Sequence, residues 1–261
     1  MIRRGTASIV AGVATATCLF LAASAGAATL IGDYQLQGTR ASSVSGPALG
    51  DIAGGNSFAT DNVMGATRQV LTFPLGSGVQ MIPSVGSGNP AYSVVVTFRL
   101  DTVSGYRRIL DTSNGTSDSG FYDSSGRAEY ATFGPDLVFA DGVYATAALT
   151  SLPSPVRTKF YVNGSLQLNI AGVTPVVADT LNFFKDNVSG GSPGEESGGA
   201  VSCIRVYSGV LSDDEVTGIG ASPTCGTVTP PATPKKKCKK HKKKHRAADA
   251  KKKKCKKKKK R

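Results

Sequence analysis

Between Val156 and Ile170 apolar and polar positions alternate on both sides of Asn163-Gly164. Val156, Thr158, Phe160 and Val162 form one row, and Leu166, Leu168 and Ile170 form the other. A period of two is that of a half-buried strand. Asn-Gly is a strong hairpin signal, because both residues accept the positive φ that a type I′ turn requires. The register stays open at this point. A two-residue turn pairs Val162 with Ser165 and sends the two apolar rows to opposite faces; a three-residue turn ending at Ser165 sends both to one face.

The same short-period patterning, punctuated by Gly, Ser, Asn and Asp, runs from Thr29 to Gly220. It predicts strands at Leu30–Leu36, Gln69–Phe73, Tyr92–Leu100, Arg107–Asp111, Gly120–Tyr122, Arg127–Thr132, Val143–Thr150, Thr180–Lys185 and Gly199–Tyr207, besides the hairpin. Tyr92–Leu100 is apolar almost throughout, as a central strand covered on both faces should be. Many short strands at spacings near ten residues indicate an all-β sandwich or barrel. The one helix signal is Leu211–Val216, where Ser212 and Glu215 have capping-box spacing and acids fill the first turn.

The ends of the chain depart from this pattern. Residues 1–27 have the organisation of a secretory signal peptide: Arg3 and Arg4, an apolar run from Ala7 to Ala22, and Ala25-Gly26-Ala27 as a cleavage site. The run is short for a membrane span of about 20 residues. The expectation is an exported protein with no transmembrane segment after cleavage. Thr and Pro dominate residues 221–234, which read as a stiff linker. From Lys235 to Arg261 there are 17 lysines and two arginines against one aspartate, a balance of +18. Such a stretch repels itself and has no apolar surface to bury, which predicts a disordered tail. The net charge of +13 therefore hides an acidic body. Ten bases and 17 acids between Ala28 and Pro234 give −7.

Cysteines of an exported protein are presumptive disulfide partners. Cys203, Cys225, Cys238 and Cys255 remain after cleavage. Three connectivities are open. The expected one joins Cys203 to Cys225, tying the end of the domain to its sheet, and leaves Cys238 and Cys255 to close a loop within the tail.

In their order, several segments resemble the laminin-G-like, concanavalin A-like jelly-roll family, specifically its bacterial secreted members. They are Tyr92–Arg99, Gly105–Asp111, Phe160–Gly164, Leu181–Asp186, Glu195–Val201, Ile204–Tyr207 and Leu211–Val216. The resemblance spans most of 28–220 and implies two curved antiparallel sheets packed face to face. It further implies a glycan- or protein-binding adhesion module, in some members with calcium on the rim.

Hydrolases of this fold place Glu-x-Asp-x-x-Glu on one strand, so that both carboxylates project into the concave face. The body's glutamates are Glu129, Glu195, Glu196 and Glu215, and none opens that motif. Both histidines, His241 and His245, lie in the tail, so no imidazole base is available to a Ser or Cys nucleophile in the fold. The reading is a non-enzyme.

Asp186, Asn187, Glu195 and Glu196 bring four oxygen donors to adjacent strand ends and are the candidate calcium ligands. The alternative is that Asp186 or Glu196 pairs with Arg108 or Arg205. A second acidic set, Asp111, Asp118 and Asp123, reads as turn chemistry around Asn114-Gly115 and Ser124–Gly126. The chain has no Trp. Tyr106 and Tyr122, set among loops, are the candidate ligand platforms.

These readings combine into a secreted, non-catalytic carbohydrate- or protein-binding module at the cell surface. Its tail is expected to engage anionic cell-wall polymers or lipid headgroups, and nucleic acid nonspecifically in vitro. The alternatives are a secreted glycoside hydrolase of the same fold with an atypical site, and a purely structural envelope protein.

Overall fold

A computed structural model describes residues 27–117, 120–173, 175, 178–186 and 194–227. The signal-like segment, Asn187, Asp118, Cys238 and Cys255 lie outside these. In chain order the strands are β1 (Thr29–Tyr34), β2 (Gly50–Ile52), β3 (Ser57–Val63), β4 (Ala66–Phe73), β5 (Gly78–Met81), β6 (Tyr92–Leu100), β7 (Tyr106–Asp111) and β8 (Gly120–Ser124). There follow β9 (Arg127–Glu129), β10 (Phe133–Leu137), β11 (Ala145–Pro153), β12 (Val156–Val162), β13 (Ser165–Ala171), β14 (Leu181–Phe183) and β15 (Gly199–Ser208). One helix, α1 (Asp213–Ile219), closes the series.

Two antiparallel sheets result. The larger runs β13-β12-β11-β6-β15-β4-β3, with β1 and β4 sharing one edge of β15. The smaller runs β10-β9-β8-β7-β14-β5-β2. The fold is thus the all-β, two-sheet sandwich expected of the pattern. Its core lies between the sheets, where Val94, Val96, Phe98, Leu149, Phe160, Val201, Ile204 and Val206 of the larger sheet meet Val79, Met81, Ile109, Leu110, Phe121, Leu181 and Phe183 of the smaller. A second cluster covers the outer face of the larger sheet: Val95, Ala148, Tyr161 and Tyr207 lie beneath Val216 and Ile219 of α1. This explains why β6 reads as apolar on both faces.

The hairpin resolves the open register in a way that joins both alternatives. Val162 pairs with Ser165 across a two-residue turn, with Asn163 at φ 50° and Gly164 at φ 80°. A bulge then intervenes, so that Tyr161 faces Leu166 while Phe160 faces Leu168. Gln167 is the extra residue. It returns Phe160, Val162 and Leu168 to the inter-sheet core together. A side chain at position 164 would come within 3.0 Å of the Thr217 carbonyl oxygen, so glycine serves both the turn and its seat against α1.

Strands that the pattern omits are β2, β3, β5 and β10. Along β3, an edge strand, most residues are exposed, and the apolar alternation is correspondingly weak. Gly134 and Pro135 interrupt β10, which is tolerated because it too is an edge. Predicted Arg127–Thr132 shortens because Ala131 takes φ 55°, and predicted Thr180–Lys185 shortens because Phe184 takes φ 66°. The helix begins two residues later than its predicted start. Ser212 caps it, its Oγ accepting from the Glu215 amide at 3.2 Å while Glu215 Oε2 accepts from the Ser212 amide at 2.7 Å.

Cys203 and Cys225 form the expected disulfide. Composition assigns residues from 221 onward to the linker, but the folded body extends to Gly226. Cys225 is fully buried, the Ser222 carbonyl accepts from Thr97 Oγ1 at 2.7 Å, and the Pro223 carbonyl accepts from Ser202 Oγ at 2.6 Å. Among the described residues no helix is long and apolar enough to cross a membrane.

Candidate functional site

The outer face of the smaller sheet is unusually polar for a buried surface, and alternation explains which side chains reach it. Inward positions of β8 and β9 carry Phe121 and Ala128, so Tyr122 and Glu129 face outward. The β8–β9 turn spans two residues, pairing Ser124 with Arg127 and Tyr122 with Glu129. Across β7, Arg108 pairs with Tyr122 and Asp111 with Gly120. Arg108 and Tyr122 thus sit side by side in one row, continued by Glu129.

Arg108 is 1 % exposed, and its charge is met by Asp186, equally buried. Nε and Nη2 donate to Asp186 Oδ1 at 3.0 and 2.7 Å. The guanidinium also lies over the Tyr122 ring, 4.1 Å from its centroid. Gly120 is what admits it. A Cβ there would overlap Arg108 Nη1 and stand 2.7 Å from the Leu110 carbonyl oxygen. Tyr122 in turn meets Tyr106 edge-on, with centroids 5.9 Å apart and planes at 88°. Tyr106 is 42 % exposed, while Tyr122 is buried.

These residues form one wall of a cleft of about 600 Å³ lined by Tyr106, Gly120, Tyr122, Glu129, Tyr130, Ala131, Val173 and Glu195. Tyr130 is stiffened from the core by stacking on Phe121, which stacks on Phe160. The two tyrosines chosen from sequence therefore meet in a single concavity. Sequence reasoning placed neither Glu129 nor Tyr130 there, nor Arg108 behind Tyr122. The usable signal was the Ser125-Gly126 turn, from which counting back sets residue 122 opposite residue 129.

The acidic candidates are dispersed by comparison. Asp186 is held by Arg108, and Glu196 pairs with Lys185. Glu195 lines the cleft, and its carbonyl oxygen accepts from the Arg108 amide at 2.8 Å. Among the described residues no three of His, Cys, Asp and Glu are grouped as metal ligands would be. Of the three described carboxylates proposed as calcium ligands, Asp186 and Glu196 are thus paired with cations, while Glu195 lines the cleft and Asn187 lies outside the described residues. Arg205 pairs instead with Asp33.

Asp111 and Asp123 serve turns. Asp111 accepts from the Ser113 and Gly115 amides at 2.9 and 2.6 Å and from Asn182 Nδ2 at 3.0 Å. Asp123 accepts from the Gly126 amide at 2.7 Å, while its Oδ2 is buried without a hydrogen-bond partner among the described residues. Burial pushes the Asp123 carboxyl up to about 7, against the smaller opposing effects of the Gly126 amide and Arg107.

No protein-family model matches this chain. No curated protein matches it either. Among solved structures it is similar to domain 4 of AbnA, a GH43 extracellular arabinanase from Geobacillus stearothermophilus, in complex with arabinotriose. The TM-score is 0.55 at 16% identity, covering 73% of this chain and 97% of that one. It is also similar to a structure of botulinum neurotoxin type C, whose cell entry depends on interaction with two ganglioside molecules. There the TM-score is 0.54 at 11% identity, covering 72% of this chain and 50% of that one. The binding domain of botulinum neurotoxin serotype G gives 0.50 at 13%, again spanning half of that chain. At such identities the likeness is one of fold. It agrees with a jelly-roll sandwich and does not single out the laminin-G-like family.

Proposed function

We propose that this protein is an exported, non-catalytic carbohydrate-binding module, with its ligand site in the cleft on the smaller sheet. The observation that carries the proposal is the half-exposed Tyr106 ring, braced edge-on by the Arg108-backed Tyr122 at the wall of that cleft. Its volume falls within the range of about 300–1,000 Å³ usual for small-molecule sites. An aromatic face on a rigid support offers the apolar face of a sugar a surface that needs little ordering on binding. Glu129 and Glu195 beside it are acceptors for hydroxyl donors. That proteins of similar fold include one in complex with arabinotriose and one that interacts with gangliosides is supporting context.

The tail contributes a second, separate attraction. Its +18 balance draws the protein toward envelope polyanions by Coulomb steering and counterion release.

The test is a glycan array probed with the full chain and with Tyr106→Ala. Stacking that covers roughly 60 Å² of the ring, at about 25 cal/mol per Å², contributes about 1.5 kcal/mol, so the variant should bind about tenfold more weakly. Equal binding by the two proteins across all glycans would remove Tyr106 from the site. A second reading has one observation in its favour: Glu129 and Glu195 line the same cleft, and glycoside hydrolysis uses a carboxylate pair. Reducing ends released from bound glycans, and lost in Glu129→Gln and Glu195→Gln, would establish that reading instead.

A further inference from the structure

Resting on the cleft as the glycan site, we infer that the site continues past the cleft to a second aromatic platform, Phe133 on β10. Its ligand is then a run of linked sugars lying across the strands rather than a single sugar. The register carries this. On the outer face of the smaller sheet Arg108 pairs with Tyr122, Tyr122 with Glu129, and Glu129 with Phe133. Residues directly opposite one another in an antiparallel pair project to the same face. The row that lines the cleft with Tyr122 and Glu129 therefore ends, one strand further on, at the Phe133 ring. By the same pairings the neighbouring row runs from Tyr106 through Ser124 and Arg127 to Leu137.

Phe133 is 56 % exposed and Leu137 is 70 % exposed. Exposed apolar residues scattered singly need no explanation. These two stand in register with the candidate site, on a strand closed to the commonest use of a sheet edge. Strand addition needs free N–H and C=O groups along the edge. Pro135 has no N–H, and Arg127 Nη1 donates to the carbonyl oxygens of both Gly134 and Pro135. The strand also bulges, Gly134, Pro135 and Asp136 standing opposite Ala128 alone. Two side chains moreover offer far less than the roughly 800 Å² per partner of a stable protein interface.

A small ligand laid on the face meets neither obstacle. Strands about 4.8 Å apart set Phe133 about 10 Å past Tyr122, and about 14 Å across the sheet from Tyr106. A monosaccharide cannot touch both Tyr106 and Phe133. A short oligosaccharide can, with one ring face against each aromatic and the sugars between them over the cleft.

Uncharged ladders of arabino-, xylo-, gluco- and galacto-oligosaccharides, from monosaccharide to hexasaccharide, test this. They are titrated into the full chain, Tyr106→Ala, Phe133→Ala and Phe133→Tyr, and their neutrality keeps the lysine tail out of the signal. At an exposed edge position the Phe133 substitutions leave the fold intact. Affinity should climb with chain length. Phe133→Ala should weaken the longest members about tenfold while leaving mono- and disaccharides unchanged, and Phe133→Tyr should keep the gain. Affinity independent of chain length, or Phe133→Ala binding long chains as the parent does, overturns the extension and leaves the cleft standing. So does a Phe133→Tyr that loses as much as Phe133→Ala. A dimer of the parent in sedimentation that Phe133→Ala dissolves gives the ring to a second copy and likewise overturns it. If no ladder shows Tyr106-dependent binding, the cleft itself falls, and the inference with it.

Discussion

Replacing Arg108 with Met is the sharpest perturbation of the candidate site, because it keeps an unbranched side chain and removes the charge together with its N–H donors. Asp186, 2 % exposed, then loses the guanidinium that donates to its Oδ1 at 3.0 and 2.7 Å. Breaking a buried pair from one side costs about 3–5 kcal/mol, since the remaining carboxylate loses its buried counter-charge. Loss of the contact with the Tyr122 ring adds up to about 2 kcal/mol in desolvated surroundings. For a domain whose total stability is about 5–15 kcal/mol, that is a large fraction. At about 2–4 °C per kcal/mol for a body of this size, the thermal midpoint should fall by roughly 6–28 °C. The assay is urea unfolding at pH 7 of the parent, Arg108→Met, Asp186→Leu and the double variant. The double variant should recover much of the loss, because two apolar side chains leave no buried charge behind. A cost below about 1 kcal/mol for Arg108→Met, or a double variant whose loss equals the sum of the singles, would refute the claim that this pair anchors the wall of the cleft.

Three further outcomes are expected. Non-reducing peptide mapping should recover Cys203 joined to Cys225, and Ser at both positions should cost about 3 kcal/mol for a closure spanning 22 residues; a free Cys203 thiol contradicts it. The Asp123 carboxyl is raised in the fold to about 7 from an ordinary 3.8, so the folded state holds a proton that the unfolded state has released between those values. Stability should therefore decline as pH rises from about 4 to about 7, and Asp123→Asn should abolish that decline, gaining at most about 4 kcal/mol at pH 8; parallel pH profiles for the two proteins sink the assignment. Deleting residues 235–261 should release the protein from anionic surfaces, and retention of the full chain should fall steeply as salt rises toward about 1 M, where the screening length is about 3 Å; salt-independent retention shared by the truncated protein ends the tether proposal.

The acid limb of the pH profile has the opposite origin. Burial alone would raise the Asp33 and Asp61 carboxyls, but hydrogen bonds outweigh it and hold both low: Arg205, Gln35 and Ser43 for Asp33, Tyr144 and Arg99 for Asp61. Lys159 and Tyr161 do the same for Asp213, with Lys159 the largest effect. Folded-state values below 3.8 contribute stability that is present above the ordinary carboxylate range and lost as pH falls through it. Together with Asp123 they place the most stable pH between the two limbs.

How much of this was readable from the chain depends on whether the signal was local. The period of two at Val156–Ile170 and the all-apolar run at Tyr92–Leu100 are properties of neighbours in sequence, and they located the hairpin that forms one edge of the larger sheet and the strand at its centre. The cap at Ser212 was legible for the same reason, while the expected pairing of Cys203 with Cys225 came from their places in the order of elements, with three connectivities open. The bulge at Gln167 was not, because it is selected by the need to bring Phe160 and Leu168 to one core, which no pattern within the hairpin states. Edge strands β3 and β10 escaped because one side of each meets water and imposes little alternation.

The site was half legible. Tyr106 and Tyr122 stood out as aromatics among loop residues, and the pairing of Arg108 with Asp186 was one of the alternatives that composition left open. What brings them together is a contact between residues 78 apart, which sequence alone does not register. Glu129 was weighed only against the hydrolase motif, since its relation to Tyr122 appears only when the two-residue turn at Ser125-Gly126 is counted through the register.

The central claim is that the cleft beside Tyr106 holds a glycan. It is tested most directly by titrating the protein, with its tyrosine rings isotopically labelled, with the oligosaccharide that the array selects, and following the ring resonances by NMR. Tyr106 should shift furthest, with smaller shifts at Tyr122 and Tyr130, while Tyr207, beneath α1 on the far face of the larger sheet, should not move. Saturable shifts confined to other tyrosines, with Tyr106 unmoved, would contradict the account.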